Sequence, residues 1–219
     1  MAMITYEQLR KNETVNTYIA QADASLLALG FTEHSFAHVT KVAEAAAEIL
    51  HTLGHSEHEI ELVKIAGFLH DIGNIVNRID HAQSGAVMAF RLLDRMNMPP
   101  EDIATVVTAI GNHDESTAFP VNSVAAALII ADKTDVRRSR VRNRSVAQFD
   151  IHDRVNYSVT ASEVIIAQES ICLELTIQQE YCSVLEYFEI FLTRMLLCRK
   201  AAEALGVDFS LVINGQKMM

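Results

Sequence analysis

The adjacent pair His70 and Asp71, in the run Leu69-His70-Asp71-Ile72-Gly73, stands between an isolated His38 and an aspartate, Asp132, that follows the apolar stretch Ala125 to Ala131. His81 and His113 lie between that pair and Asp132. Neutral imidazoles and carboxylates together hold Fe, Mn, Zn or Co without thiolates. Four histidines and two aspartates suffice for two such ions, and an isolated carboxylate after so apolar a run needs a partner that a cation would supply. Two dications facing two carboxylates leave about two positive charges uncompensated, which suits hydroxide and phosphate oxygens. A single histidine on an apolar helix is more often a hydrogen-bonded core residue; it is the ordered set that points to metal chemistry. No Ser-His-Asp or reactive Cys-His arrangement is evident, and metal-assisted hydrolysis needs no protein nucleophile.

The elements that must position these residues are mainly helical. Residues 5 to 29 read as one helix ending at Gly30. The next is expected to start at a Thr32 cap, with Phe31 and Phe36 as a hydrophobic staple, and to run through Val39, Val42, Ala46, Ile49 and Leu50 to Gly54. That places His38 near its inward stripe, with His34 one turn earlier. Ser56 with Glu59 forms a capping box for a third helix that His70 and Asp71 close. Asp80 with Gln83 predicts a fourth, with His81 in its first turn, and Pro99 and Pro100 open a fifth toward Gly111, just before His113. A sixth starts near Asn122 or Ser123 and leads to Asp132.

Beyond about residue 150 the pattern changes. Ile171, Leu173, Leu175 and Ile177 alternate with polar residues as a half-buried strand does, Val159 to Ala167 reads as its partner, residues 181 to 205 return to helical spacing, and 209 to 213 adds a short strand. The fold class expected is therefore mainly α, with a helical metal-binding domain over 1–150 and a small C-terminal α+β subdomain over 151–219.

The set His38, His70, Asp71 and Asp132, in this order and helical context, resembles the HD superfamily of metal-dependent phosphohydrolases, over roughly residues 30 to 142. His81 and His113 occupy places where two-metal members carry extra ligands. The pattern is similar to that of the bacterial symmetrical dinucleoside tetraphosphate hydrolases and, more distantly, of the HD-GYP phosphodiesterases. The resemblance implies an HD-domain helical bundle in which His38, His70 and Asp132 serve one ion, His81 and His113 the other, and Asp71 bridges both. It also implies two divalent ions, Fe or Mn first and Zn, Co, Ni or Mg as alternatives, and a metal-bound hydroxide that cleaves a phosphate ester or anhydride, with nucleotides and dinucleotides among the candidates. Asp71 and Asp132 are then the catalytic carboxylates. The dinucleotide hydrolases carry an arginine shortly after the last aspartate, for which Arg138 is the nearest candidate. Asn74 is a departure, because many relatives have a lysine there that meets substrate phosphate. Arg78, Asn112 and the neighbouring Asn77 could compensate. His34, Lys133 and Arg140 complete the candidate substrate contacts, although an exposed helix lysine is the plainer reading of Lys133.

Composition bounds the alternatives. The chain has 219 residues, 50% of them hydrophobic and 21% charged, with three prolines and eight glycines, as a folded chain with a core would have. A net charge of −10 argues against nucleic acid or an anionic membrane as partner. Arg137, Arg138, Arg140, Arg142 and Arg144 are a local exception, either a solvated face paired with acids such as Asp135 and Asp150 or a place where an anionic substrate is met. Cys172, Cys182 and Cys198 are odd in number and widely spaced, so they read as reduced, mostly buried thiols. The first residues lack a signal-peptide pattern and no apolar run spans a bilayer, which predicts a cytoplasmic protein. The histidines His51, His55, His58 and His152 read as solvated or structural.

The partner expected is a small phosphorylated molecule. Two other readings compete: an HD-fold diiron oxygenase, which uses the same ligand types, and a non-catalytic sensor that binds metal or nucleotide. The helix over 181 to 205 either packs on the helical core or builds a homodimer interface.

Overall fold

The computed structural model describes residues 4–143 and 149–219; Arg144 lies outside the described residues. The first helical stretch is broken in two, α1 (Tyr6–Arg10) and α2 (Glu13–Ala28), where a single helix is expected. Asn12 causes the break, since its Oδ1 accepts from the backbone N–H groups of Thr14 and Val15 and so caps a new helix. Gly30, at φ 82°, then turns the chain out of α2.

Helix α3 (Phe36–Thr52) starts at Ser35 rather than Thr32, because the Ser35 hydroxyl accepts from Ala37 N–H. The expected staple does not form: Phe36 packs against Phe68 with ring centroids 6.3 Å apart, and Phe31 lies beneath the Arg78 guanidinium. His34 thus sits in the connection before α3, its ring 5.4 Å from that of His38. Helix α4 (Glu57–Leu69) has the Ser56–Glu59 capping box, and a 3-10 turn covers Ile72–Ile75. Helix α5 (His81–Arg95) begins without a side-chain cap; Asp80 is left-handed at φ 57° and turns the chain instead. Helix α6 (Pro100–Gly111) has Pro100 in its first turn, and α7 (Ser123–Lys133) is capped by Asn122.

Helix α7 is apolar on every side and is correspondingly enclosed, by α3, α4, α6 and α9 (Val184–Ala204). Two glycines let the site-bearing helices approach. A Cβ on Gly67 of α4 would come within 2.7 Å of the Ala43 Cα on α3, and one on Gly73 would collide with the His81 carbonyl oxygen at the start of α5. Backbone against backbone at these two points brings His38, His70, Asp71 and His81 together.

After a 3-10 turn at Arg138–Arg140, a further short helix, α8 (Ile151–Ser158), precedes the sheet where none is expected. The sheet has the order β1 (Val159–Ile166), β2 (Ser170–Ile177), β3 (Asp208–Ile213) and β4 (Gln216–Lys217). β1 pairs antiparallel with β2, β2 parallel with β3, and β3 antiparallel with β4. The parallel pair needs a crossover, which α9 provides. Ile171, Leu173, Leu175, Phe209 and Leu211 are buried on one face of the sheet, and α9 packs on α7 as well as on the sheet, so one continuous core joins helices and sheet. All three cysteines are free, Cys182 and Cys198 buried. Among the described residues no helix is long and apolar enough to cross a membrane.

Candidate metal centre

Each of the six candidate ligands sits at or near a helix end. His38 is in the first turn of α3, His70 directly follows α4, Asp71 leads into the 3-10 turn, His81 opens α5, His113 lies just past α6 and Asp132 is in the last turn of α7. The structure brings all six together. His38 Nε2 is 3.3 Å from Asp132 Oδ1 and 3.6 Å from Asp71 Oδ2, and His70 Nε2 is 3.3 Å from Asp71 Oδ2 and 3.7 Å from Asp132 Oδ1. The other oxygen of Asp71, Oδ1, is 3.6 Å from His81 Nε2, which is 3.2 Å from His113 Nε2. Asp71 therefore presents one oxygen to each of two groups of donors.

The tautomers follow from the far side of each ring. His70 Nδ1 faces Gly67 O at 2.7 Å, His81 Nδ1 faces Arg78 O at 3.1 Å and His113 Nδ1 faces Ile110 O at 2.6 Å. A carbonyl cannot donate, so each Nδ1 carries a hydrogen, and in the neutral ring Nε2 is the atom left to act as an inward ligand. His38 differs: its Nδ1 meets the Asp135 carboxylate at 2.8 Å. Asp135 is itself paired with Lys41, Arg137 and Arg140; its burial is outweighed by the hydrogen bond to His38 and by the charges of Arg140 and Arg137, which keep it ionised.

Burial, followed by the nearby His70, pushes His113 down to about 3. Burial also lowers His81, with Arg78 adding to it. Both are then neutral, and two lone pairs face each other across 3.2 Å, an arrangement that a cation between them relieves. Burial opposes the charge on both carboxylates, but His70 beside Asp71 and Lys133 beside Asp132 outweigh it and hold the two carboxyls well below the usual range. His38 Nε2, His70 Nε2 and Asp71 Oδ2 are buried with no hydrogen-bond partner. Such orphans are costly. The residues present fit divalent metal: three overlapping sets, His38–His70–Asp71, His70–His113–Asp132 and Asp71–His81–His113, each bring ligand atoms within 4.8 Å of one another.

Asp71, His81, His113 and Asp132 form the floor of a cavity of about 290 Å³, with His38 and His70 buried behind them. Of the other sequence-derived candidates, His34, Arg78, Lys133 and Arg140 line it. Asn74 is buried instead, with Nδ2 donating to Asp71 Oδ1 at 2.9 Å and Oδ1 accepting from Arg78. Asn112 donates to Thr108 O, and Asn77 accepts from Ile79 N–H in an exposed turn. Arg138 stacks 4.4 Å over Tyr157 and donates to the Tyr157 carbonyl and to Gln178, away from the cavity. Lys133 is buried rather than exposed, between Asp132 Oδ2 at 2.7 Å and Glu115 Oε2 at 2.6 Å.

Several lining residues escaped the sequence reading. Asp135 reads in the sequence only as an acidic partner for the arginines around it, although its place three residues after Asp132 is a signal for the site. Phe31, His152, Asp153, Asn156, Phe191 and Arg194 carry no sequence signal, since only tertiary packing takes them to the cavity.

The HD domain family model matches residues 35–154, more than half of the chain and all six clustered residues. The chain is 25% identical over 182 residues to an uncharacterized protein of Methanocaldococcus jannaschii, covering 73% of this chain and 70% of that protein. It is also similar to a crystal structure described as a predicted HD superfamily hydrolase from an uncultured Thermotogales bacterium, with 26% identity, a TM-score of 0.46, and 57% of this chain and 67% of that one covered. By the extent of the family match and the residues it encloses, this chain belongs to the HD domain family.

Proposed function

We propose that the chain is a metal-dependent phosphohydrolase that cleaves a small phosphate ester or anhydride with water as the nucleophile. The observation that carries this reading is the trio of buried, unpartnered ligand atoms, His38 Nε2, His70 Nε2 and Asp71 Oδ2, in a cluster whose Asp71, His81, His113 and Asp132 line a cavity together with Arg78, Lys133, Arg140 and Arg194. His38, His70, Asp132 and one oxygen of Asp71 would hold one ion; His81, His113 and the other oxygen of Asp71 would hold a second, and this donor set is compatible with the Fe or Mn that the resemblance puts first. Bound divalent ions supply Lewis acidity toward phosphoryl oxygens and lower the pKa of water from 15.7 to about 7.

The remaining groups are suited to binding and orientation. Arg140 is 6% exposed; its Nε donates to Glu33 O and its Nη1 to Asp135 O, leaving Nη2 without an acceptor among the described residues. Asn74 lacks the charge a lysine would bring, but it holds Arg78 on its own side-chain oxygen at 3.3 Å, so a guanidinium is delivered to that place. Lys133 keeps its proton because Asp132 and Glu115 outweigh its burial. His34 Nδ1 is tied to Thr32 O at 2.7 Å, which leaves Nε2 as an acceptor for a substrate hydroxyl or a water. A cavity of about 290 Å³ lies at the small end of ligand sites, roughly 300–1,000 Å³. It suits a compact phosphorylated molecule of up to about mononucleotide size.

The test is metal analysis of anaerobically purified protein joined to a phosphate-release screen over monoesters, diesters and anhydrides. Release that stops on chelation and returns with Fe or Mn supports the proposal. Folded protein that binds no divalent metal would sink it, and oxygen consumption without phosphate release would move the assignment to the oxygenase class.

A further inference from the structure

Arg194 of α9 stands apart from the other cations of the cavity. Among the described residues, the other lysines and arginines that line it fall within residues 35–154, the span of the HD domain match, whereas Arg194 comes from the crossover helix beyond it. Its Nε donates to Glu115 Oε1 at 2.7 Å, and its guanidinium lies 4.7 Å from the Phe191 ring centroid. The other oxygen of Glu115 is taken by Lys133, which in turn meets Asp132.

These contacts fix the guanidinium while using one of its five N–H donors. A tether between α9 and the segment after α6 is best made by a two-bond fork on the carboxylate. Here Lys133 occupies Glu115 Oε2, and the donors on Nη1 and Nη2 have no acceptor among the described residues, although Arg194 lines the cavity beside Lys133 and Asp132. A stacked, pre-oriented guanidinium with free donors binds phosphoryl oxygens at little ordering cost. We infer that Arg194 is a specificity-determining residue that donates to an anionic oxygen of the phosphorylated substrate, from the crossover helix beyond the HD domain match. The inference rests on the phosphohydrolase reading above.

The test titrates inorganic phosphate calorimetrically into metal-loaded wild type, Arg194→Gln and Arg194→Lys, with metal content and thermal midpoint measured on each. Arg194→Gln is expected to weaken phosphate by about tenfold or more, the loss of a charge-assisted hydrogen bond, with metal content unchanged. Arg194→Lys keeps the charge and the Glu115 pair but not the fork, so a loss of several-fold is expected. It decides the matter if the glutamine variant does not fold. In turnover, KM should rise while kcat stays within a few-fold. Equal phosphate affinity in wild type and variants would overturn the inference alone, leaving the phosphohydrolase reading intact. Loss of metal in parallel with loss of phosphate would also overturn it, because Arg194 would then act only through Glu115, Lys133 and Asp132. No phosphate binding by the wild type would remove both.

Discussion

The floor of the cavity and its walls are built in different ways. At the floor and directly behind it, His38, His70, His81 and His113 are each at most 3% exposed, and three of the four rings are locked by a carbonyl three residues earlier in the chain. The walls come from the Leu29–His34 connection, from residues 150–156 and from α9, and they are held by side-chain networks such as Arg194–Glu115–Lys133. A ring whose orientation depends on its own helix turn tolerates distant change, whereas a guanidinium placed by three separate elements does not. The floor is therefore the locally determined chemical unit of this molecule, and the walls are where selectivity for a ligand can be set.

The comparison can be broken most severely at Asp71, which serves both donor groups. Asp71→Asn should lower phosphate release by about 10³-fold or more, the scale of losing a principal charge-stabilising group, with metal stoichiometry reduced in elemental analysis. Activity within tenfold of wild type would show that the floor is not the reacting centre. Next comes the contact that assembles the floor. In Gly73→Ala the new methyl meets the His81 carbonyl oxygen, and a loss of about 3 kcal/mol in denaturant unfolding is expected from overpacking against backbone. An unchanged midpoint would mean that α5 approaches less closely than described.

Asp135→Ala removes the carboxylate behind His38 Nδ1 and should weaken metal binding about 10- to 100-fold, read by competition with a chelating dye. Asp135→Asn, whose side-chain oxygen still accepts from Nδ1, should recover much of it; a variant as weak as alanine would count against tautomer control. On the wall, His152 is exposed, and His152→Ala should change KM by a few-fold with metal content unaffected. Any loss of metal there would erase the distinction between wall and floor.

The smallest effect lies away from both regions. Glu59 caps α4, and the Ser123 hydroxyl, with His55 and Ser56, lowers its pKa from the usual 4.5 to about 2. A depressed carboxylate contributes stability above its unfolded pKa and loses it as pH falls toward the folded value. Glu59→Gln should therefore cost about 1 kcal/mol or less near neutral pH, since solvent screens this half-exposed group, and the difference from wild type should shrink between pH 4.5 and 2. A difference independent of pH would assign the effect to shape rather than charge.

Much of the floor was legible because its chemistry is written locally. The ordered histidines and aspartates, the apolar run before Asp132 and the Ser56–Glu59 box each announce themselves within a few residues, and so do the alternating strands β1 and β2 and the long spacing of α9. Boundaries failed where a polar side chain competed for backbone donors: Asn12 split the first helix, and Ser35 displaced Thr32 as the cap of α3. Lys133 was misjudged as exposed because a lysine's burial depends on partners, here Glu115 and Asp132, that only the folded chain supplies.

The sequence by itself determined which side chains could hold metal, which helices carry them and that a small sheet follows, because periodicity, capping and residue chemistry act over a few turns of chain. Tertiary structure alone decided that Asp135 stands behind His38, and that Arg138 turns away while Arg194 reaches the cavity. Those outcomes depend on how α7 is enclosed and where α9 crosses it. Packing of that kind is a property of the assembled core, not of any one segment.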